Sequence, residues 1–240
     1  MRKSWEIATI ALSASLYAVI GYASYLGIFT PMIGVVRFWP SVFIPAVFAV
    51  LFGPRVGGIS AAIGIFISDM MIHGNALLSL SVGVPANFVC FYSVGWFTDK
   101  IKNNSRLWII MAISEEIFLV FLIAITMKIG MLSPAVAIAY IIGIGVALFF
   151  TILYGFFWSK NHVLMFAYNT GLLMGSLIIG VGIYLFSQIF VLPGGAQKLS
   201  LEAIILWSVW TYATEIPFMV ALSTPIIVIG NKVLPKVRGE

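Results

Sequence analysis

The chain has 240 residues, of which 62% are hydrophobic and only 9% are charged, and its mean hydropathy is +1.11. A soluble domain needs about a quarter of its residues charged to cover its surface, so the composition excludes one and indicates an integral protein of a lipid bilayer. The net charge of +5 is small and scattered along the chain, which argues against a nucleic-acid partner.

Apolar segments follow one another along the chain, at approximately 5–29, 39–53, 56–72, 76–97, 107–127, 132–158, 161–192 and 201–230. The first exceeds the 7–15 residues of a signal-peptide core, so we expect a retained transmembrane helix. A spanning helix needs about 20 residues, and the second and third segments are short. We predict a single all-α membrane domain, residues 1–240, that forms a bundle of about six to eight transmembrane helices, with eight fitting best.

The basic residues predict how the helices are oriented. If the N-terminus is cytoplasmic and all eight segments cross, ten Lys and Arg lie inside and only Arg37, Lys128 and Lys198 lie outside. Cytoplasmic loops carry the excess of positive charge in membrane proteins. We therefore predict a multi-pass protein of the cell membrane with both termini in the cytoplasm.

One short apolar run stands out at residues 36–58, VRFWPSVFIPAVFAVLFGPRVGG. The predicted orientation places Arg37 and Trp39 on the outer side and the Gly53-Pro54-Arg55 break on the inner side. A short helix between longer ones leaves a recess, and small molecules bind in recesses lined by polar and aromatic groups. We expect an outer recess here, with Arg37 and Trp39 at its entrance.

Inserting an ionisable group in the middle of a membrane helix costs about 2.5–3.5 kcal/mol, so each such residue needs an explanation. Asp69 and His73 are four residues apart and share a helix face, with Asn75 just beyond. These residues would suit a polar clamp on a substrate or simple solvation at the interface. Two ligands do not close a metal site, and the other histidine, His162, lies near the opposite face. We expect no metal ion and no cofactor.

A second candidate region is WSVWTYATEIP, which contains Glu215 just before Pro217. Proline frees a backbone carbonyl and kinks a helix, which membrane proteins tolerate where neighbours or a cavity satisfy the polar groups. Upstream aromatic residues, Trp210 among them, would line a binding recess or form an interfacial belt. The predicted substrate-binding residues are Arg37, Trp39, Asp69, His73, Asn75, Trp210 and Glu215.

Adjacent glutamates, Glu115 and Glu116, lie less than halfway into the fifth segment. They are similar to the E-E-x-x-x-R element of CAAX-type membrane proteases, but Val120 stands where the arginine would be, and no histidine set accompanies them. We therefore expect no enzyme. Neighbouring residues point about 100° apart on a helix, so one glutamate could face a cavity and the other the cytoplasmic interface. A structural or coupling role remains open.

Three features together resemble the substrate-binding S components of energy-coupling factor (ECF) transporters. The first helix carries an alanine stripe that includes Ala11, Ala14 and Ala18, and R-F-W-P precedes a short helix. The sequence IPAVFAVLFGPRVGGISAAIG follows. The resemblance covers roughly residues 8–100, and the remaining helices in 101–240 add length to the six helices typical of that family.

The resemblance implies a subunit that captures a vitamin or related micronutrient at the outer face. In that family the first helix docks on a transmembrane T component driven by two cytoplasmic ATPases, which makes Ala14 and Ala18, with Ala11 adjacent, the docking candidates. The chain lacks a G-x-x-x-x-G-K-S/T phosphate loop, so a partner would hydrolyse ATP. The alternative is a self-sufficient secondary transporter of a small polar metabolite.

Overall fold

The computed structural model of the protein describes residues 3–28, 32–33, 36–101, 105–157 and 162–238, with side chains up to residue 233. Helices make up nearly all of it, joined by short turns, and a two-residue antiparallel pair, β1 (Met32–Ile33) and β2 (Val36–Arg37), lies after the first helix. The helices are α1 (Lys3–Tyr25), α2 (Phe43–Phe52), α3 (Pro54–Ile72), α4 (Ala76–Leu78), α5 (Val84–Lys100), α6 (Leu107–Lys128), α7 (Pro134–Phe157), α8 (His162–Ile189), α9 (Glu202–Phe218) and α10 (Thr224–Arg238).

Seven stretches of the described residues are long and apolar enough to cross a membrane. They are α1, α3, α4 with α5 (Ala76–Lys100), α6, α7, α8, and α9 with the first part of α10 (Glu202–Val233). An eighth apolar helix, Pro40–Phe52, is shorter. The prediction of an all-α bundle with six to eight transmembrane helices is thus confirmed, and the protein is a multi-pass membrane protein. Below, "outer" and "inner" refer to the sides that the charge distribution predicts.

A sharp reversal at Gly53 sets the short helix α2 against α3. Gly53 has φ +103°, a conformation that glycine adopts without strain, and Pro54 begins α3 at the position where a helix does not need a backbone N–H. The 10 residues of α2 span only about 15 Å, half the hydrocarbon thickness. Since the reversal lies at the inner end, the chain enters α2 from well inside the bundle.

Helix α1 packs on α3 through its small residues. A side chain at Gly64 would come within 2.9 Å of the Ala14 carbonyl oxygen and of the Tyr17 ring, so only glycine permits this approach. Ala14 and Ala18 are 3% and 2% exposed. The alanine pair predicted to dock a partner therefore faces the interior of the protein itself, whereas Ala11 lies on the exposed face of α1.

Two spans contain a π-helical turn, and a proline follows each turn after one intervening residue. The turn Ser79–Gly83 comes before Pro85, and the turn Met219–Ser223 comes before Pro225. Proline has no N–H, so the helical bond to the carbonyl four residues earlier cannot form. In the second case that carbonyl belongs to Ala221, and the Tyr154 hydroxyl donates to it at 3.2 Å. Neighbouring helices thus compensate for breaks in the backbone ladder within the membrane.

Labelling from outside the cell is expected to reach position 37 but not position 106. Both arginines are exposed, and the native Cys90 is 3% exposed, so the unsubstituted protein supplies the background. Arg37→Cys should react with a membrane-impermeant maleimide on intact cells, and Arg106→Cys only after permeabilisation, because the positive-inside distribution places them on opposite sides. The reverse pattern would invert the topology.

Candidate functional site

Four side chains from four different parts of the chain meet in the interior of the bundle. They are Tyr17 of α1, Trp39 before α2, Asn87 of α5 and Glu215 of α9, and we call them the outer cluster. Tyr17 is fully buried, and the other three are half-buried. Aromatic and polar groups that converge from several helices are the usual lining of a small-molecule site.

A hydrogen bond between α1 and α5 holds the centre of the outer cluster. The Tyr17 hydroxyl donates to Asn87 Oδ1 at 2.8 Å, and Asn87 Nδ2 donates to the Gly83 carbonyl oxygen at 3.0 Å. Gly83 ends the π-helical turn before Pro85, so the break in the helix and the orientation of the amide are linked. The amide retains one N–H and one lone pair for another partner.

A backbone hydrogen bond ties Trp39 to α9, one residue before Glu215. Pro217 has no N–H to donate to the Ala213 carbonyl. The Ala213 carbonyl oxygen packs directly on Gly143 of α7, where a side chain would clash with it. One residue further, the Thr214 carbonyl accepts the backbone N–H of Trp39 at 3.1 Å. The segment before α2 is therefore tied to the residue that precedes Glu215.

Next to Trp39, other segments pack closely against Gly21, and two serine hydroxyls lie at this contact. A Cβ at Gly21 would lie 3.0 Å from Ser68 Oγ, 3.3 Å from Trp39 Cζ2 and 3.6 Å from Ser41 Oγ. Both serine hydroxyls are buried and have no hydrogen-bond partner. A buried hydroxyl without a hydrogen-bond partner lowers stability by about 1–3 kcal/mol, so these two hydroxyls indicate a partner that is bound here.

The Glu215 carboxylate receives no hydrogen bond and forms no ion pair with any described residue. It is close enough to the Tyr17 hydroxyl and the Cys90 thiol to interact with both electrostatically. Thr211, one turn earlier on α9, is 6% exposed, and its hydroxyl is also without a partner. The face of α9 that meets the outer cluster thus carries a carboxylate and a hydroxyl that the protein leaves unsatisfied.

Asp69, His73 and Asn75 come together at the outer ends of α3 and α4. Asp69 accepts a hydrogen bond from Ser79 Oγ at 2.6 Å and lies 3.6 Å from His73 Nε2. The Asn75 side chain accepts from the Leu78 N–H at 3.0 Å and caps α4. Asp69 also interacts electrostatically with Tyr17, which links this group to the outer cluster. Asn75 acts as a helix cap, a role that explains its position without a substrate.

Arg37 and Trp210 are not brought into the outer cluster. Arg37 is exposed, and its guanidinium donates to the Tyr25 carbonyl oxygen at 2.8 Å, which ties β2 to the end of α1. Trp210 packs edge-on against Trp207, with ring centroids 5.4 Å apart. Among the described residues, no hydrogen bond or ring contact joins either side chain to Glu215. Their predicted role in binding therefore lacks support from the geometry, in contrast to that of Trp39.

A recess of about 390 Å³ lies at the inner end of α2, where we had expected one at the outer end. It is bounded by the last turn of α2, by Gly53 and by residues of α5 and α10, among them Thr98, Asp99 and Asn231. Its polar lining faces the predicted cytoplasm.

The adjacent glutamates form a second polar group, which we call the glutamate network. Glu116 is fully buried and accepts from Thr151 Oγ1 of α7 at 2.8 Å, while Glu115 accepts from Thr170 Oγ1 of α8 at 2.8 Å. Next to Thr170, Asn169 accepts a hydrogen bond from Tyr212 of α9. Contrary to expectation, both glutamates turn towards neighbouring helices, and the Oε2 atom of each is buried without a partner.

Sequence reasoning missed Tyr17 of the outer cluster and the two serines, Ser41 and Ser68, that lie next to Trp39 at Gly21. A signal for Tyr17 was present, since it lies among Ala14, Ala18 and Gly21 on one helix face and is the only large side chain of that stripe. A bulky hydroxyl-bearing residue on a face that otherwise allows close approach must enter the space between helices. Ser41 and Ser68 carry no comparable signal, because serine is common in apolar helices.

Within the described residues, no group of three or more His, Cys, Asp or Glu side chains could hold a metal ion. Comparison of the chain with protein-family models, with curated proteins and with solved structures found no match.

Proposed function

We propose that the protein is a substrate-binding membrane subunit of the ECF type, resident in the cell membrane, which captures a vitamin or related micronutrient at the outer cluster. The single observation that carries the proposal is the set of polar groups without a partner near Tyr17 and Trp39: the buried hydroxyls of Ser41 and Ser68, and Glu215, which accepts no hydrogen bond from a described residue. Inside a membrane such groups persist where a ligand or water supplies the missing hydrogen bonds.

The position of the outer cluster suits capture from outside. Tyr17 lies eight residues before the predicted outer end of α1, or about 12 Å below it, and Asn87 lies eleven residues after the start of α4, or about 16 Å below. The outer cluster thus lies roughly half of the hydrocarbon thickness below the predicted outer side. A ligand bound there is held away from the cytoplasm until the bundle is reoriented.

Docking on a T component would use a different face of α1 from the one that carries Ala14 and Ala18, the predicted docking residues. Because Ala14 and Ala18 pack on α3, the small residues open to a partner are Ala8, Ala11 and Ser15, which are exposed on the other side of the helix. Small residues let another helix approach closely. The proposal therefore keeps Ala11 as a docking residue and assigns Ala14 and Ala18 to internal packing.

Dependence of uptake on partners tests this function. Cells that express the protein with a T component and two ATPases should accumulate the ligand, whereas cells that express the protein alone should bind it at the surface and accumulate little. Catalytically dead ATPases are the matched control and should behave like the protein alone. Full accumulation by the protein without partners would refute the subunit proposal.

The glutamate network favours one other function, that of a secondary transporter. Two carboxyl groups within the bundle, each with a buried oxygen that lacks a partner, are the kind of site where protons or small cations bind in coupled transport. In that case the purified protein, reconstituted in liposomes, would accumulate its substrate under an imposed ion gradient. The Glu115→Gln, Glu116→Gln double variant would lose the response to the gradient.

A further inference from the structure

We infer that the outer cluster selects a flat ring that carries a positive charge or several hydrogen-bond donors, such as an amidine, an aminoheterocycle or a quaternised ring. This inference names the substrate class and rests on the proposed function for the role of the site. It follows from the polar groups near Trp39 that lack a hydrogen-bond partner, from the charge of the bundle interior and from the partly exposed ring of Trp39.

The first step is the balance of hydrogen-bonding groups. The Tyr17 hydroxyl donates its proton to Asn87, and its oxygen interacts with the Trp39 indole, so both of its functions are in use. The Glu215 carboxyl group has about four lone-pair directions, none of them used by a described donor. Asn87 contributes one remaining N–H. Glu215 is thus the largest acceptor of the outer cluster without a partner, and a ligand rich in donors would satisfy it.

The second step is the sign of the charge. The spans contain Asp69, Glu115, Glu116 and Glu215, whereas every described Lys and Arg lies at or beyond the ends of the spanning stretches. Arg37, the basic residue nearest in sequence to Trp39, is exposed and donates to the end of α1. A carboxylate ligand would therefore meet Glu215 and Asp69 with no cation to neutralise it. A cationic ligand would instead pair with the ionised form of Glu215 and supply the counter-charge that the bundle lacks.

The third step is the aromatic ring at the site. The Trp39 indole interacts with the Tyr17 hydroxyl and reaches the close contact at Gly21, where the Ser41 and Ser68 hydroxyls also lie, and part of Trp39 is exposed. An indole face attracts cations and flat rings. A flat ring would stack on Trp39, direct its charged group to Glu215 and turn its edge to the two serines.

Three isosteric probes test the inference: benzamidine, benzamide and benzoate, which share one flat ring and differ in charge from +1 to −1. Their dissociation constants for the purified protein in detergent would be measured by isothermal titration. We expect benzamidine to bind at least about ten-fold more tightly than benzoate, with benzamide between them, a difference that corresponds to about 1.4 kcal/mol. Equal binding of benzamidine and benzoate, or tighter binding of benzoate, would overturn the inference.

The matched variants are Glu215→Gln, which keeps the shape and removes the charge, and Glu202→Gln, which removes an exposed carboxylate from the start of the same helix. Glu215→Gln should abolish the preference for benzamidine over benzamide, and Glu202→Gln should leave it unchanged. An unchanged preference in Glu215→Gln would overturn the inference; should that variant fail to fold, the order of the three probes on the natural protein decides.

The failures of this inference and of the proposed function are distinguishable. If benzoate binds best and Trp39→Ala weakens it, the outer cluster is a binding site of the opposite charge class, so the inference fails and the proposed function stands. If none of the probes binds and no vitamin stabilises the protein, both fail.

Discussion

Replacing Trp39 with alanine is expected to weaken ligand binding by about ten-fold to a hundred-fold. Stacking of a flat ring on an aromatic side chain contributes about 1–3 kcal/mol, and each 1.4 kcal/mol changes the dissociation constant ten-fold. The variant should still fold, because the contact that anchors the segment is the backbone N–H of residue 39 on the Thr214 carbonyl, which alanine retains. Titration of the purified variant with the ligand measures the effect.

Trp210→Ala is the matched control for Trp39→Ala. Both tryptophans are half-buried and belong to the predicted binding set, but Trp210 packs on Trp207 and has no described contact with the outer cluster. Its loss should change affinity less than about three-fold, since scattered contacts outside a site contribute little. Equal losses in the two variants would mean that the site extends to the Trp207–Trp210 pair, and an effect of Trp210 alone would move the site there.

The second large effect is expected on stability, from Gly57→Ala. A Cβ at this position would overlap the Ala49 side chain and lie 2.7 Å from Ala49 Cα and 3.1 Å from the Phe91 carbonyl oxygen. Because backbone atoms cannot move aside as a flexible side chain can, the α2–α3 hairpin must separate. Overpacking of this kind costs about 1–3 kcal/mol in the free energy of unfolding. Unfolding by heat or denaturing detergent, followed by circular dichroism, measures the loss.

Gly145→Ala provides the matched control for this substitution. Gly145 lies in the middle of α7, and a Cβ there would meet nothing within 4 Å. Alanine has the higher helix propensity, by about 1 kcal/mol in soluble hosts, so this variant should be as stable as the natural protein or slightly more stable. A Gly57→Ala protein as stable as Gly145→Ala would contradict the close packing of α2 on α3.

The fold was largely predictable because hydropathy dominates it. Every apolar segment became a helix, and the short run after Trp39 became the short helix α2, since a run bounded by Pro40 and the Gly53-Pro54 turn has no residues with which to extend. The bends were harder to predict. Pro85 and Pro225 each follow a π-helical turn, but a proline alone does not determine whether a helix kinks or forms such a turn.

The candidate site was predictable only in part. Trp39 and Glu215 were identified from local features, an aromatic residue before a short helix and a charge before a proline, and in the structure both interact with Tyr17. The missing information was pairing between distant segments. Nothing in the sequence indicates that the Tyr17 hydroxyl meets Asn87, 70 residues later, because that contact depends on how α1, α3 and α5 pack.

The alanine stripe of α1 shows the same difficulty in another form. Small residues four apart predict close helix contact, and that contact exists, but sequence does not say whether the neighbour belongs to the same chain. The glycines of α3, Gly64 above all, supply the complementary surface within the protein itself. A stripe and a matching glycine in the same chain together favour internal packing over docking.

Thermal unfolding of the purified protein against a panel of vitamins and their precursors tests the central proposal most directly. A ligand at 100 times its dissociation constant adds about 2.7 kcal/mol of apparent stability. We expect one compound, with a flat cationic or donor-rich ring, to raise the unfolding temperature selectively, and we expect Trp39→Ala to lose that shift. A panel in which no compound stabilises the natural protein, or in which Trp39→Ala responds as the natural protein does, would contradict a substrate site at the outer cluster.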